Sequence, residues 1–351
     1  MCLQRHPKLD PGRLLRRSVA DAGRPLDVCR VKPHTRSALI ESEKFLREFP
    51  PARHYLIGVS GGRDSVMLLH WLINLGYRNL IVCHLDHQLR FRSSRADARF
   101  VERLAAKYDV DLALGTASVR VLAKKEKMSI ETAAREARYR FFAKIAKHRR
   151  CHTIFLAHHA DDLVETFLIN LFRGAGLTGL TAMRDISIRR VENADLTIAR
   201  PILGVWRDEV DRYVRKYRLK FREDASNKNL APLRNRLRHR IIPYLEKTLG
   251  RKIRTSIWRA ATIAAEEKDW IEGMAAPSAA RNKHLAVKKL RGLPTALQRR
   301  VIMTWLREQN IADIGFDVIE RVRSLLEPKI AKINLPKDRH VRRRAGKIFT
   351  E

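Results

Sequence analysis

Apolar residues recur along this chain in two different periods, and the alternation between them predicts its architecture. Nearly continuous apolar runs at residues 55–59, 80–85 and 153–157 have the length and branching of strands buried on both faces. Helical spacing follows each of them, beginning at Val66–Leu69, across Asp97–Tyr108, and through Leu163, Val164, Phe167, Leu168, Leu171 and Phe172, which are read as one buried face. Residues 111–114 add a short edge strand, and Ser129 is a good N-cap for a further helix. An amphipathic helix over residues 35–49, carrying Ala38, Leu39, Phe45, Leu46 and Phe49, precedes the first strand. The expected fold is α/β, a Rossmann-like parallel sheet with helices on both faces.

Past Pro243 the pattern changes to long amphipathic helices over about 244–274. Ala275–Ala280 reads as a linker, and two more helical patterns lead to a terminal hairpin, Lys332–Leu335 with Val341–Phe349, carrying Arg339, His340, Arg342, Arg343 and Arg344. The predicted organisation is a basic tail over residues 1–35, an α/β domain over 36–228, a helical connector over 229–280 and a small α+β domain over 281–351. No internal repeat is visible.

Composition narrows the partners. The 351 residues carry 72 Lys and Arg against 38 Asp and Glu, a formal charge of +34, far beyond what solubility requires, so a large polyanion is expected. Nucleic acid fits better than membrane, because no apolar run is long enough to span a bilayer. The four cysteines, Cys2, Cys29, Cys83 and Cys151, form neither a CxxC pair nor a metal-ligand spacing, and a reducing cytoplasm is the simplest setting. The tail is broken by Pro7, Pro11, Pro25 and Pro33, and its interspersed acids give no convincing targeting signal.

Chemistry concentrates where strands end. After the first strand, Ser60-Gly61-Gly62-Arg63-Asp64-Ser65 makes a tight glycine turn into a helix N-terminus, a loop suited to a phosphate. It lacks the Lys of a Walker loop and the third glycine of a dinucleotide fingerprint. Asp64 is out of place in an anion nest unless Mg²⁺ bridges it to the phosphates or it orients another ligand. His84, Asp86 and His87 close the second strand, where a structural or nucleotide-adjacent role ranks above zinc. His158, Asp162 and Glu165 fall at i, i+4 and i+7 on one stripe of the helix after the next strand, and helix-dipole complementation does not account for Glu165. Every second residue from Arg234 to Arg240 is arginine, too widely spread for one solvated stripe. Gly174, Gly176 and Gly179 predict a flexible loop after the helix.

These segments together resemble the tRNA(Ile)-lysidine synthetases, members of the PP-loop ATP pyrophosphatases. SGGRDS, HLDHQLR, ETAAREARYR, AHHADDLVETFLINLFRGAGLTGL, RPIL, DASN and RNRLRHRIIP occur in that family's order over about residues 53–245, and LPTALQRRVIMTWL with the basic hairpin resembles its tRNA-binding C-terminal domain. Compared with the longest members the resemblance stops after the first C-terminal unit. It implies adenylation of the C2 oxygen of the wobble cytidine in a CAU-anticodon tRNA(Ile), followed by displacement of AMP by the ε-amine of free L-lysine, so that the tRNA reads AUA. It also implies that Ser60 to Ser65 hold ATP, that Asp64 is associated with Mg²⁺, that Arg135 contacts ATP or the transition state, and that Asp162 and Glu165 bind lysine. Arg234, Arg236 and Arg238, with Arg342, Arg343 and Arg344, are then the expected tRNA contacts.

The charges agree with that assignment, since a +34 protein repels a lysine cation unless a local pair of carboxylates attracts it. Two other readings stand beside it: a PP-loop tRNA thiolase, against which the cysteine pattern argues, and a non-catalytic basic RNA-binding protein, which has no use for Asp64, Asp162 and Glu165. The sequence leaves the oligomeric state open, a homodimer being one option.

Overall fold

A computed structural model describes residues 42–89, 91–223, 230–279, 283–311, 314–335 and 339–351. The expected tail, the start of the first helix and the DASN segment (Asp224–Asn227) lie outside the described residues. The chain forms two compact units, Met1–Thr166 with Met183–Arg251, and Phe167–Ala182 with Lys252–Glu351. The expected connector over 229–280 is therefore not a unit of its own. Its first part packs with the α/β unit and its second with the C-terminal one.

The first unit is built on a six-stranded sheet of β1 (Tyr55–Gly58), β2 (Leu80–Asp86), β3 (Asp111–Thr116), β4 (Thr153–Phe155), β5 (Ile186–Val191) and β6 (Ala194–Ala199). Their spatial order is β3-β2-β1-β4-β6-β5, all parallel except β5, which pairs antiparallel with β6 at one edge. Residue alternation sorts the core. Ile57, Val82 and Phe155 point to one face, against Met67, Leu68, Leu72 and the aromatic group of Phe45, Phe49 and Tyr77. Leu56, Ile81, Cys83 and Ile154 point to the other, against Tyr139, Phe142 and Ala146 from the helix Ile130–Arg149. Ser129 caps that helix through its hydroxyl, which accepts from the Thr132 amide at 3.1 Å.

The strand order reverses at β1, with β2 on one side and β4 on the other. In a sheet of this kind the crevice for a ligand opens beyond the carboxyl ends of the strands at that reversal. The loop Ser60–Ser65 leaves β1 there and His158–Glu165 follows β4 there, so the topology alone brings together two segments far apart in the chain.

The second unit packs the helices Ile253–Ala279, Thr295–Glu308 and Phe316–Ser324 with an antiparallel sheet in the order β7-β10-β9-β8, where β7 is His284–Ala286, β8 Lys332–Leu335, β9 Arg339–Arg344 and β10 Lys347–Thr350. Its core holds Val301, Ile302, Trp305, Leu306, Val322, Val341 and Ile348. Several expectations are corrected by the structure. The Ala-rich linker over 275–280 is instead the end of the 27-residue helix Ile253–Ala279, Pro277 included. The expected hairpin is part of a four-stranded sheet, and what read as one strand over 341–349 is β9 and β10 joined by Ala345 and Gly346, whose φ values of 48° and 72° make a tight two-residue hairpin turn. Leu177–Leu180 is a helical turn rather than an open loop. Leu171 and Phe172, placed on a buried helix face by periodicity, are 45% and 59% exposed.

Candidate active site

The loop after β1 is held open by its own hydroxyls. Ser65 Oγ donates to the Gly62 carbonyl at 2.9 Å and accepts from the Ser60 amide at 3.2 Å, while Ser60 Oγ accepts from the Gly62 amide at 3.2 Å. Gly61 sits at φ +86°, the left-handed region that favours glycine, and its carbonyl accepts from the Arg222 amide at 2.9 Å. Gly62 is the N-cap of the helix Arg63–Asn74, whose first amides face the loop. A cavity of about 450 Å³ opens beside it, lined among others by Ser60, Gly62, Asp64, Ser65, His84, Asp86, His87, Arg138 and His158. Volume, exposed amides and a helix N-terminus suit a nucleotide with its phosphates at the loop.

The polar lining of this cavity is incompletely satisfied by the protein. His87 Nδ1, His158 Nδ1 and Arg138 Nε are buried without a hydrogen-bond partner. Burial pushes His158 down to about 3 and His87 down to about 4, so both rings are neutral near pH 7 and present acceptor and donor nitrogens rather than charge. Arg138, which residue spacing did not single out, lines the cavity. Arg135, the expected ATP contact, lies over the Tyr139 ring with its guanidinium carbon 5.1 Å from the centroid. Arg189 lies over the same ring at 4.2 Å. The signal that would have found Arg138 is its helix phase, three residues beyond Arg135 and one before the buried Tyr139.

Asp162 and Glu165, on the helix Ala160–Phe172 after β4, form the second half of the site, whereas His158, expected on the same helical stripe, precedes that helix and lines the cavity. His159 is fully buried, with Nε2 3.8 Å from Asp64 Oδ2 and 3.6 Å from Asp162 Oδ2, and Nδ1 3.7 Å from Asp161 Oδ2. It thus stands between the carboxylate of the phosphate loop and that of the following helix. The Asp162 Oδ2 atom also accepts from the His159 amide at 3.2 Å. Glu165, 1% exposed, receives Arg238 Nε at 2.6 Å on Oε1 and Arg238 Nη2 at 2.9 Å on Oε2, and Arg234 Nε stands 3.5 Å from Oε2. Arg238 Nη2 reaches Asp162 Oδ1 at 3.2 Å as well. Arg234 donates to Thr166 Oγ1 at 2.8 Å.

Burial raises the Glu165 carboxyl above the usual carboxylate range, and the Arg238 hydrogen bonds only partly offset it. Burial acts on Asp162 in the same direction, but His159, His158 and Arg238 together outweigh it, and its carboxyl ends below the usual range. Two adjacent carboxyls are thereby driven apart in acidity, the arrangement that separates a proton acceptor from a fixed charge. Arg234 and Arg238, expected on tRNA, in this structure face the carboxylates. Arg234 is carried on Leu233–Arg236, and Arg238 on the π-turn Leu237–Ile241 that follows it and continues into Ile242–Leu249.

The remaining expected residues divide. Arg63 is tied to Asp64 at 3.2 Å and to Asp211 at 2.5 Å, at the rim of the loop. Asp64 borders the cavity and is about one-third exposed. Asp64 at the loop, with Asp86 also on the cavity lining, fits Mg²⁺ held mainly by phosphate oxygens and water, and among the described residues no group of three or more His, Cys, Asp or Glu is placed to cage a metal. In the second unit, Arg342 and Arg344 are exposed on β9. Arg343 points to the other face and donates to the Glu327 carbonyl at 2.8 Å and to that of Pro328. Among the described residues no helix is long and apolar enough to cross a membrane.

Residues 35–245 match the family model of the PP-loop domain, and residues 279–350 match that of the TilS-like substrate binding domain. The tRNA(Ile)-lysidine synthase of Thermosynechococcus vestitus is 32% identical over 286 residues, covering 79% of this chain and 79% of that protein. The enzyme of the same name from Geobacter sulfurreducens is 34% identical over 304 residues, 83% of this chain and 63% of the relative, and that from Clostridium tetani is 34% identical over 62% of this chain and 46% of the relative. The chain thus spans less than two thirds of those two relatives. With a PP-loop domain over its first part and a substrate-binding domain over its last, the chain belongs to the tRNA(Ile)-lysidine synthase family.

Proposed function

We propose that this protein ligates free L-lysine to the wobble cytidine of a CAU-anticodon tRNA(Ile) with consumption of ATP, converting a codon specificity for AUG to one for AUA. The observation that carries the reading is the juxtaposition of a phosphate-binding loop with a buried carboxylate pair that already holds a cation, with the His159 ring standing between the two without a hydrogen bond to either. In the first step the cytidine C2 oxygen attacks the α-phosphorus, the α–β bond of ATP opens and pyrophosphate leaves. The loop amides and hydroxyls of Ser60 to Ser65 hold the phosphates, and Arg138 offers its unpartnered Nε toward the nucleotide. Mg²⁺ bound at Asp64 would neutralise charge developing on the pyrophosphate.

In the second step a C–N bond forms at C2 while the C2–O bond breaks, its electron pair leaving with AMP. The ε-ammonium of lysine, with a reference pKa of about 10.4, must first lose a proton. Glu165, with its raised carboxyl, is the acceptor, and Asp162 stays ionised to hold the amine in place. The sheet of the second unit, basic on its exposed face, is assigned to the tRNA. Cys83 and Cys151 are buried with thiols pushed up by desolvation, which makes them poor nucleophiles and gives no support to a sulfur-transferring alternative.

The test is mass analysis of a CAU-anticodon tRNA incubated with protein, ATP, Mg²⁺ and lysine. The product should gain one lysine less one water at the wobble cytidine. Asp64→Ala should lower product formation by roughly a hundredfold or more while leaving tRNA affinity within about twofold, because phosphate contacts elsewhere hold the tRNA. Unmodified tRNA with wild-type protein ends the proposal.

A further inference from the structure

The carboxylate pair is not open to a lysine cation in this conformation. Glu165 Oε1 is taken by Arg238 Nε, Oε2 by Arg238 Nη2 with Arg234 nearby, Asp162 Oδ1 by Arg238 Nη2, and Asp162 Oδ2 by the His159 amide. Every oxygen of the pair has a donor. The charges close in the same way, since two carboxylates face two guanidiniums, and a third cation brought to a site so neutralised gains no net attraction. We infer that Arg238 is an internal stand-in for the substrate ammonium, and that lysine enters only when the Arg238 guanidinium leaves Glu165 and Asp162. This inference rests on the lysine-pocket reading above.

Arg238 also has somewhere to go. It is near enough to Asp64 of the phosphate loop, and to Arg207, for their charges to act on one another. A polyphosphate at the loop therefore offers the guanidinium a second anion, of the kind arginine binds by charge-assisted hydrogen bonds. The side chain is carried on the π-turn Leu237–Ile241, where the hydrogen-bond ladder departs from regular α-helix and a change of register is less costly than inside one. Nucleotide binding thus releases the carboxylates, and the order of the reaction follows: ATP first, lysine second. Premature occupation by lysine is suppressed because the binding-competent fraction is small, and apparent affinity falls in proportion to that fraction.

The experiment is calorimetric titration of L-lysine into the full chain, with and without α,β-methylene ATP and Mg²⁺. The wild-type protein should bind lysine roughly tenfold or more tightly once the analogue is present. Arg238→Met, which keeps the aliphatic stem, should bind lysine about tenfold more tightly than wild type without nucleotide, and the analogue should then change affinity by less than about threefold. In that variant L-arginine should compete with lysine, since the same fork of Glu165 seats a guanidinium. Equal lysine affinity in Arg238→Met and wild type overturns the inference. If Arg238→Met does not fold, the wild-type pair of titrations decides alone, and absence of a nucleotide effect overturns it. Adding Glu165→Gln distinguishes failure of the pocket from failure of the gate. Lysine binding that survives this change removes the pocket itself, whereas binding lost with it, in a protein where Arg238→Met gave no gain, removes only the role of Arg238.

Discussion

At the scale of single residues, the site turns on which of two arginines, a helical turn apart, meets the nucleotide. Arg138 borders the cavity with its Nε buried and unpartnered, and burial, reinforced by the charges of Arg135 and Arg234, opposes its cationic form until an anion arrives. Arg135 is engaged with the ring of Tyr139 instead. Charge-assisted hydrogen bonds contribute about 1.5–3 kcal/mol, so Arg138→Met should raise the KM for ATP by roughly ten- to a hundredfold. Arg135→Met should raise it by less than about fivefold, the loss being limited to a cation–π interaction of about 0.5–1 kcal/mol. Initial-rate measurements on both variants decide the matter, and the reverse ranking would return Arg135 to the nucleotide site.

At the scale of elements, the strand β9 distinguishes arginines that the sequence presents as one basic run. Strand alternation sends Arg342 and Arg344 to the face opposite Val341, which is fully buried. Across the ladder Arg342 stands opposite Lys332 and Arg344 opposite Lys347, so one exposed face carries four cations. Arg343 instead fastens the strand to the carbonyls of Glu327 and Pro328. Replacing Arg342, Arg344 and Lys347 together by Ala should reduce the slope of log affinity against log salt for tRNA by about 0.7–0.9 for each phosphate no longer neutralised. Arg343→Ala should leave that slope unchanged and instead lower the melting temperature, because two carbonyls are deprived of their donor. A slope that drops in Arg343→Ala would show that the face is assigned wrongly.

At the scale of the whole molecule, the charge of +34 acts on the free chain and on its complex with opposite sign. Self-repulsion destabilises the compact free state, and added salt screens it over a length of about 8 Å at 0.15 M. Raising NaCl from about 50 to 200 mM should therefore raise the melting temperature of the free protein, by roughly 2–4 °C for each kcal/mol relieved. Over the same interval tRNA affinity should fall by roughly a thousandfold if six or more phosphates are bound. Differential scanning calorimetry and filter binding at matched salt read the two effects. A melting temperature that falls with salt would mean that ion pairs such as Arg238–Glu165 outweigh the repulsion.

The local pattern of residues was sufficient for the phosphate loop, the strands β1, β2 and β4 and the carboxylate stripe, because a two-residue glycine turn, continuous apolar runs and i, i+3 spacing are properties of neighbours in the chain. Local pattern miscounts the terminal strands, where the Ala345–Gly346 turn interrupts an unbroken β pattern, and it ends the helix Ile253–Ala279 early because Ala, Pro and Ser cluster there. Propensity is a weak force in that stretch, and packing of the helix in the second unit, with Ala261, Ala264 and Ala275 buried, overrides it. That Arg138 rather than Arg135 lines the cavity beside the loop, and that Arg238 faces Glu165 across 73 residues of chain, were not legible. Those contacts depend on where a helix sits over the sheet and on the π-turn at Leu237–Ile241, and both arise from long-range packing that residue spacing does not encode.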